Sequence, residues 1–318
     1  MKKHILPAIA ALLAFVVLLN GCVDKGAEKT IRIGVLRIDD SIPLYIAEKE
    51  GLFEKYGMTV ELVEFGSASD QSKAMEAGEL DGLMTDMIVQ SLIKKGGTDL
   101  RAVAMALGAT EKEGRFMVVS SHDSGIVKPQ DLAGASVAIS ENTMMDFLFE
   151  QYESILDLDK SSISKVHMPS LSLRVDAVLE GKDIKAAILP DPLASYAVQE
   201  GANIVIDDTL LGTNLSQSVI AVSEALISNR RTDVEKMLAA YNKAIKQIND
   251  NPDNYREECL KIANVPASLA DGYPTPTYTP NCVPSRECVL RITAWMKARG
   301  LVKEEYSYGE IVDDSFIR

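Results

Sequence analysis

Thr30-Ile-Arg-Ile-Gly-Val-Leu36, followed by Ile42-Pro-Leu-Tyr-Ile-Ala-Glu-Lys-Glu-Gly-Leu-Phe-Glu-Lys-Tyr56, decides the fold. The first run alternates and is rich in β-branched residues, so it reads as a strand. The second reads as a helix with Pro43 in its first turn and a break near Gly51. The pattern then repeats. Met58 to Phe65 is a second strand, and Gly66 to Ser69 leads into a helix from Asp70 to Ala77. Leu80 to Thr85 is a third strand, Met87 to Lys95 a helix and Leu100 to Leu107 a fourth strand. Strands and helices in strict alternation indicate a parallel α/β sheet with right-handed crossovers.

The alternation restarts downstream. Strands are expected at 115–120, 136–140, 164–168, 186–189 and 202–206, with helices at 144–156, 172–180 and 193–200 between them. Gln217 to Val222 runs extended again. Asp233 to Ile248 is an amphipathic helix whose Val234, Met237, Leu238, Tyr241, Ile245 and Ile248 share a face, with Thr232 and Glu235 as a capping box at its start. Tyr273 to Pro284 carries four prolines and reads as an extended loop. A helix from Ser285 to Arg299 stops at Gly300.

Residues 1–22, MKKHILPAIAALLAFVVLLNGC, read as an export leader: Lys2 and Lys3, a short apolar run, then small residues before Cys22. A spanning helix needs about 20 apolar residues, more than this run supplies. The chain is expected to be cut before Cys22, leaving residues 22–29 as a lipid-carrying tether. The whole chain has a net charge of −13, and the leader's two lysines are its only charged side chains, so the mature chain is more acidic still. That balance argues against nucleic acid and against docking on anionic lipid. Cys259, Cys282 and Cys288 lie in the last sixty residues, and in an oxidising compartment one disulfide among them is expected. His122 and His167 are too few and too distant to suggest a metal site. Residues 23–318 exceed what one hydrophobic core usually carries, so two lobes are expected.

Gly34 to Met58 resembles the opening of periplasmic solute receptors of the nitrate/sulfonate/taurine and thiamine-pyrimidine-precursor type, with its P-L-Y-x-A and G-L-F-x-x-x-G pieces at Pro43 to Ala47 and Gly51 to Gly57. Phe65-Gly-Ser67, Gly78-Glu-Leu-Asp81, Asp131-Leu-Ala-Gly134 and Leu189-Pro-Asp-Pro-Leu-Ala194 follow in order, and Trp295-Met296 and Gly300-Leu301 match the tail. The resemblance covers about residues 30–318. It implies an α/β, two-lobed type II periplasmic-binding-protein fold with two crossing strands, placed at Arg115–Ser120 and Gln217–Val222. Lobe one is then 30–117 with 217–318, and lobe two 118–216. It further implies a monomeric extracytoplasmic receptor, lipid-anchored through Cys22, that hands a small-molecule solute to the permease and ATPase subunits of an ABC importer. No cofactor and no catalytic residue are implied. The rivals are a ligand sensor for a membrane receptor and an enzyme of the thiamine-pyrimidine-synthase type. Such enzymes carry a mid-chain cysteine cluster, whereas this chain has no cysteine between Cys22 and Cys259.

Ligands in open α/β sheets bind beyond the carboxyl ends of strands. Those positions are Asp39, Asp40 and Ser41 after the first strand, Gly66 and Ser67 after the second, and Thr85 and Asp86 after the third. In the second unit they are Ser140, Asn142 and Thr143, then Pro190 and Asp191, with Asn214, Ser216 and Gln217 near the return crossing. Ser67, Ser140 and Thr143 read equally well as helix caps. Asp191, between two prolines, reads as a rigidly held ligand or as a turn residue capping the next helix. The carboxylates favour a neutral or amine-bearing solute, a heterocycle among them, over sulfonate or nitrate, which call for Arg, Lys or helix N-termini.

Overall fold

Two five-stranded sheets carry the molecule. The computed structural model describes residues 30–317, and beyond Thr30 the chain clusters into one unit. Cys22 and the leader lie outside the described residues. Strand β1 (Ile31–Val35) leads through a 3-10 turn at Asp39–Ser41 into α1 (Ile42–Lys49) and α2 (Leu52–Lys55). Gly51 joins them at φ +60, the left-handed conformation that breaks the helix where expected. β2 (Val60–Glu64), α3 (Ala68–Glu76), β3 (Gly82–Asp86), α4 (Met87–Lys95) and β4 (Leu100–Met105) follow. The second set is β5 (Phe116–Ser120), β6 (Ser136–Ile139), α5 (Met144–Ile155), β7 (Ser164–His167), α6 (Leu171–Glu180), β8 (Ala186–Pro190), α7 (Leu193–Gln199) and β9 (Asn203–Asp207). The chain closes with β10 (Ser218–Ser223), α8 (Glu224–Asp250), α9 (Pro252–Ile262), α10 (Arg286–Ala298) and α11 (Tyr308–Ile311).

The first sheet runs β2-β1-β3-β10-β4 and the second β7-β6-β8-β5-β9. In each, one strand enters antiparallel among parallel ones: β10 between β3 and β4, and β5 between β8 and β9. Both faces of the first sheet are covered, which is why its strands are nearly all apolar. Ile220 and Val222 of β10 join the core under α1, α8 and α9, while Val219 and Ala221 face the core that reaches α4 and α10.

Three expectations change. The crossing strands each belong wholly to one sheet, and the chain changes sheets over residues 106–115 and 208–217. Those two segments are stitched together: Ala106 N–H donates to the Ser218 carbonyl (2.8 Å) and Ser218 N–H to the Leu107 carbonyl (3.1 Å). Gly108 sits in the stitch at φ +101, and a Cβ there would meet Gln217 Cα at 2.9 Å, so only glycine fits. Second, the helix expected to start at Asp233 begins at Glu224, capped by the Ser223 hydroxyl, and breaks at Arg230. Third, Cys259, Cys282 and Cys288 are free thiols. Cys259 is packed under α8 and α9 and Cys288 in the separate core around α10, so folding draws them into different cores rather than together.

Helix α10 ties the two sheets from behind. Trp295 stacks edge-on against Phe147 of α5, with ring centroids 5.5 Å apart, and its Nε1–H donates to Glu150 at 2.7 Å. Arg299 donates to Asp146 at 3.0 Å and also pairs with Glu150, which Lys165 approaches to 3.6 Å.

Candidate functional site

The 3-10 turn after β1 turns Asp39 inward, where the proline-rich loop meets it. Tyr273 Oη donates to Asp39 Oδ2 at 2.8 Å, and Tyr278 Oη donates to the Asp39 carbonyl at 2.8 Å. Oδ1 is buried with no partner. Burial pushes the Asp39 carboxyl up to about 7 against the pull of the Tyr273 hydrogen bond, and Asp40 and Asp191 add to the rise. Asp40 is raised by burial, opposed by the Ser218 hydroxyl, with Asp86 adding. Asp86 caps α4 by accepting from Ile88 and Val89 N–H (2.8 and 2.9 Å), and burial still raises it. Ser41, fully buried at the start of α1, has a hydroxyl without a partner. Thr85, beside Asp86, stands opposite Val219 of β10.

The second sheet contributes Asp191, just past Pro190 at the end of β8. Asp191 Oδ1 accepts from Ser195 N–H (2.9 Å) and Ser195 Oγ (2.7 Å), which fastens the first turn of α7. Its carboxyl is raised by burial and held back by Ser195 and by Arg115, whose guanidinium stands 4.0 Å away. Asp191 therefore does both things weighed for it: it caps a helix and its charge reaches Asp39 in the opposite unit.

The other expected positions divide. Ser67 accepts from Asp70 N–H at 3.1 Å and is spent on capping α3, next to exposed Gly66. Thr143 donates to the Ser140 carbonyl at 2.6 Å and leaves α5 without a side-chain cap, while Asn142, at φ +62, gives its N–H to Asp146. Asn214 donates to the carbonyls of Thr110 (3.0 Å) and Glu113 (2.5 Å) and accepts from Ser216 N–H (2.8 Å). Gln217 donates to the Gly108 carbonyl at 3.3 Å, with its buried Oε1 unpartnered. These three hold the crossing segments together.

Sequence reasoning missed Tyr273, Tyr278 and Arg115. Their signal was weak: two tyrosines among prolines and threonines, and an arginine opening a strand. Arg115 pairs with Asp207, and Asp208 beside it, accepting from Phe116 N–H and Tyr152 Oη, is pushed by burial up to about 7. Thr279 of the proline-rich loop donates to Glu113, so the loop is anchored to a crossing segment.

Asp39, Asp40, Asp86 and Asp191 thus form a buried carboxylate group short of counter-charge. Among the described residues no three His, Cys, Asp or Glu side chains come together as a metal-ligand set. An organic ammonium suits such a wall, because it brings charge and hydrogen-bond donors together.

Residues 24–263 match the NMT1-like family, and the chain belongs to it. An ABC transporter periplasmic binding protein of Brachyspira hyodysenteriae is 24% identical over 269 residues, 78% of this chain and 75% of that one. An aliphatic sulfonates-binding protein of Bacillus subtilis is 24% identical over 333 residues, covering 100% of this chain and 96% of the relative. The periplasmic aliphatic sulphonate binding protein SsuA of Escherichia coli shares the fold with a TM-score of 0.74 at 19% identity, over 91% of this chain and 99% of that one. A desulfurization enzyme, DSZB, has the fold too, with a TM-score of 0.65 at 16% identity over 91% and 97% of the two chains. The α/β fold of two sheets is that of periplasmic binding proteins.

Proposed function

We propose that this chain is the extracytoplasmic solute receptor of an ABC importer and that it captures a small amine-bearing organic molecule between two lobes. The lobes are residues 30–117 with 217–318, and 118–216. The carrying observation is the pairing of Asp39 with Asp191: one carboxylate from each unit, buried and mutually repelling until a cation enters. Family membership and two relatives that are solute-binding proteins support the importer role. The captured molecule passes to a permease and its ATPase, and the receptor works as a monomer held to the membrane by lipid on Cys22. No described helix is long and apolar enough to cross a membrane. Closure is a shift in population, since the ligand touches both lobes only in the closed state.

Deleting the gene should abolish uptake of one amine-bearing solute, and permease and ATPase genes should lie beside it. Unchanged uptake of every candidate amine, or turnover of a bound compound by the purified protein, would replace the receptor with a sensor or an enzyme. Small-angle scattering of the purified protein should show a smaller radius of gyration at saturating solute, and an unchanged radius rules out the clamp. Cys22→Ser should leave an unprocessed precursor or release the protein to the soluble fraction. A variant that migrates and fractionates like wild type removes the lipid anchor.

A further inference from the structure

One buried cation has no counter-ion. Arg174, on α6, is fully buried, whereas the half-buried Arg299 and Lys165 each pair with carboxylates. Its Nη1 donates to the Ile188 carbonyl at 2.8 Å and lies 3.1 Å from Met145 Sδ, while Nε and Nη2 have no partner. Burial pulls the guanidinium down to about 10, so it keeps its charge at neutral pH. A buried charge left unpaired is costly, and a fold that keeps one has a use for it or a strong constraint on it.

Its position indicates the use. β6 and β8 pair only at Val137 with Ala186 and Ala138 with Ala187, so Ile188 is the first residue of β8 beyond their ladder. There α5 leaves β6 towards β7 while α6 returns from β7 to β8. That is the switch point of the sheet, the crevice where open α/β sheets bind ligands. Met145 is the second residue of the 12-residue helix α5, whose cap residue Thr143 has turned its hydroxyl back to Ser140. The first-turn amides of α5 therefore lack a side-chain acceptor, and its amino end attracts negative charge. Asp146, on the same turn, is already taken by Arg299 and by Asn142 N–H.

We infer that Arg174 and the amino end of α5 form an anion subsite in the second half of the cleft, so that the solute is a zwitterion. Its amine faces the aspartates of the first unit, and a carboxylate, phosphate or sulfonate faces Arg174. This rests on the receptor reading above and restores sulfonates as candidates, provided that they carry an amine.

The probe is inorganic sulfate, titrated calorimetrically into the full-length protein in detergent at fixed ionic strength, with chloride as control. Wild type should bind sulfate saturably. Arg174→Met should weaken it about 10- to 100-fold, the scale of hydrogen bonds to a charged group, and should melt no lower than wild type, because an unpaired buried charge has gone. Arg174→Gln can keep a donor for the Ile188 carbonyl and should lose sulfate equally, which preserves the test if the methionine variant folds poorly. Sulfate affinity unchanged in either variant, or no saturable binding by wild type, overturns the subsite. A lower melting point with unchanged affinity makes Arg174 a strut between α6 and β8. Gene-dependent uptake would stand in either case, so failure of the subsite is separable from failure of the receptor.

Discussion

Asp39→Asn should weaken binding of the transported amine by about 10- to 100-fold, as expected when a hydrogen bond to a charged group is lost, and should leave the fold intact. Asp39 ionises at about 7 in the folded chain, against an ordinary value of 3.8. Between those values the folded state holds a proton that the unfolded chain has released. Stability of the solute-free protein must therefore fall as pH rises from about 4 to 7. Binding of a cation runs the opposite way, strengthening as pH rises through 7 and the carboxylate forms. In Asp39→Asn both slopes should flatten, and the variant should melt above wild type at pH 8. Asp208 shares the shift to about 7, so some slope in stability will persist, but none in binding that traces to Asp39. Melting curves and calorimetric titrations at pH 6 and pH 8 give the answer. Equal affinity of wild type and variant at pH 8 would remove Asp39 from the site.

Trp295→Ala should cost about 3–5 kcal/mol of stability, the range for truncating a buried aromatic. Trp295 is 8% exposed. Its loss removes the edge-on contact with Phe147 and the donor to Glu150, and so loosens α10 from α5. Denaturant unfolding followed by far-ultraviolet dichroism measures the change. A loss under about 1 kcal/mol, the ordinary scale of surface substitutions, would show that α10 does not bind the two units together.

The fold was legible because its signals are local. β-branched alternation marks β1, Gly51 breaks the helix that follows it, and Ser285 with Gly300 brackets α10. The beginning of α8 was not, because Ser-Asn-Arg-Arg-Thr reads as a polar interruption and the helix passes through it with a break at Arg230. Asp39, Asp40, Asp86 and Asp191 could be named from the strand-end rule alone. Their partners could not, since Tyr273 and Tyr278 reach Asp39 across 234 and 239 residues of chain. Arg174 looked like any cation on an amphipathic helix. Nothing in its neighbours along the chain says that its guanidinium is enclosed.

The position of β10 has a consequence for how the molecule is made. It lies between β3 and β4, so the first sheet has a gap until residue 223 exists, after the whole second sheet has been synthesised. Closing that gap joins residues more than a hundred positions apart, and such pairings form slowly. An exported chain must cross its membrane before it folds, and here the strand that completes the first half emerges late. The order of strands thus acts as a timer, keeping the first half open during passage without any help from a partner.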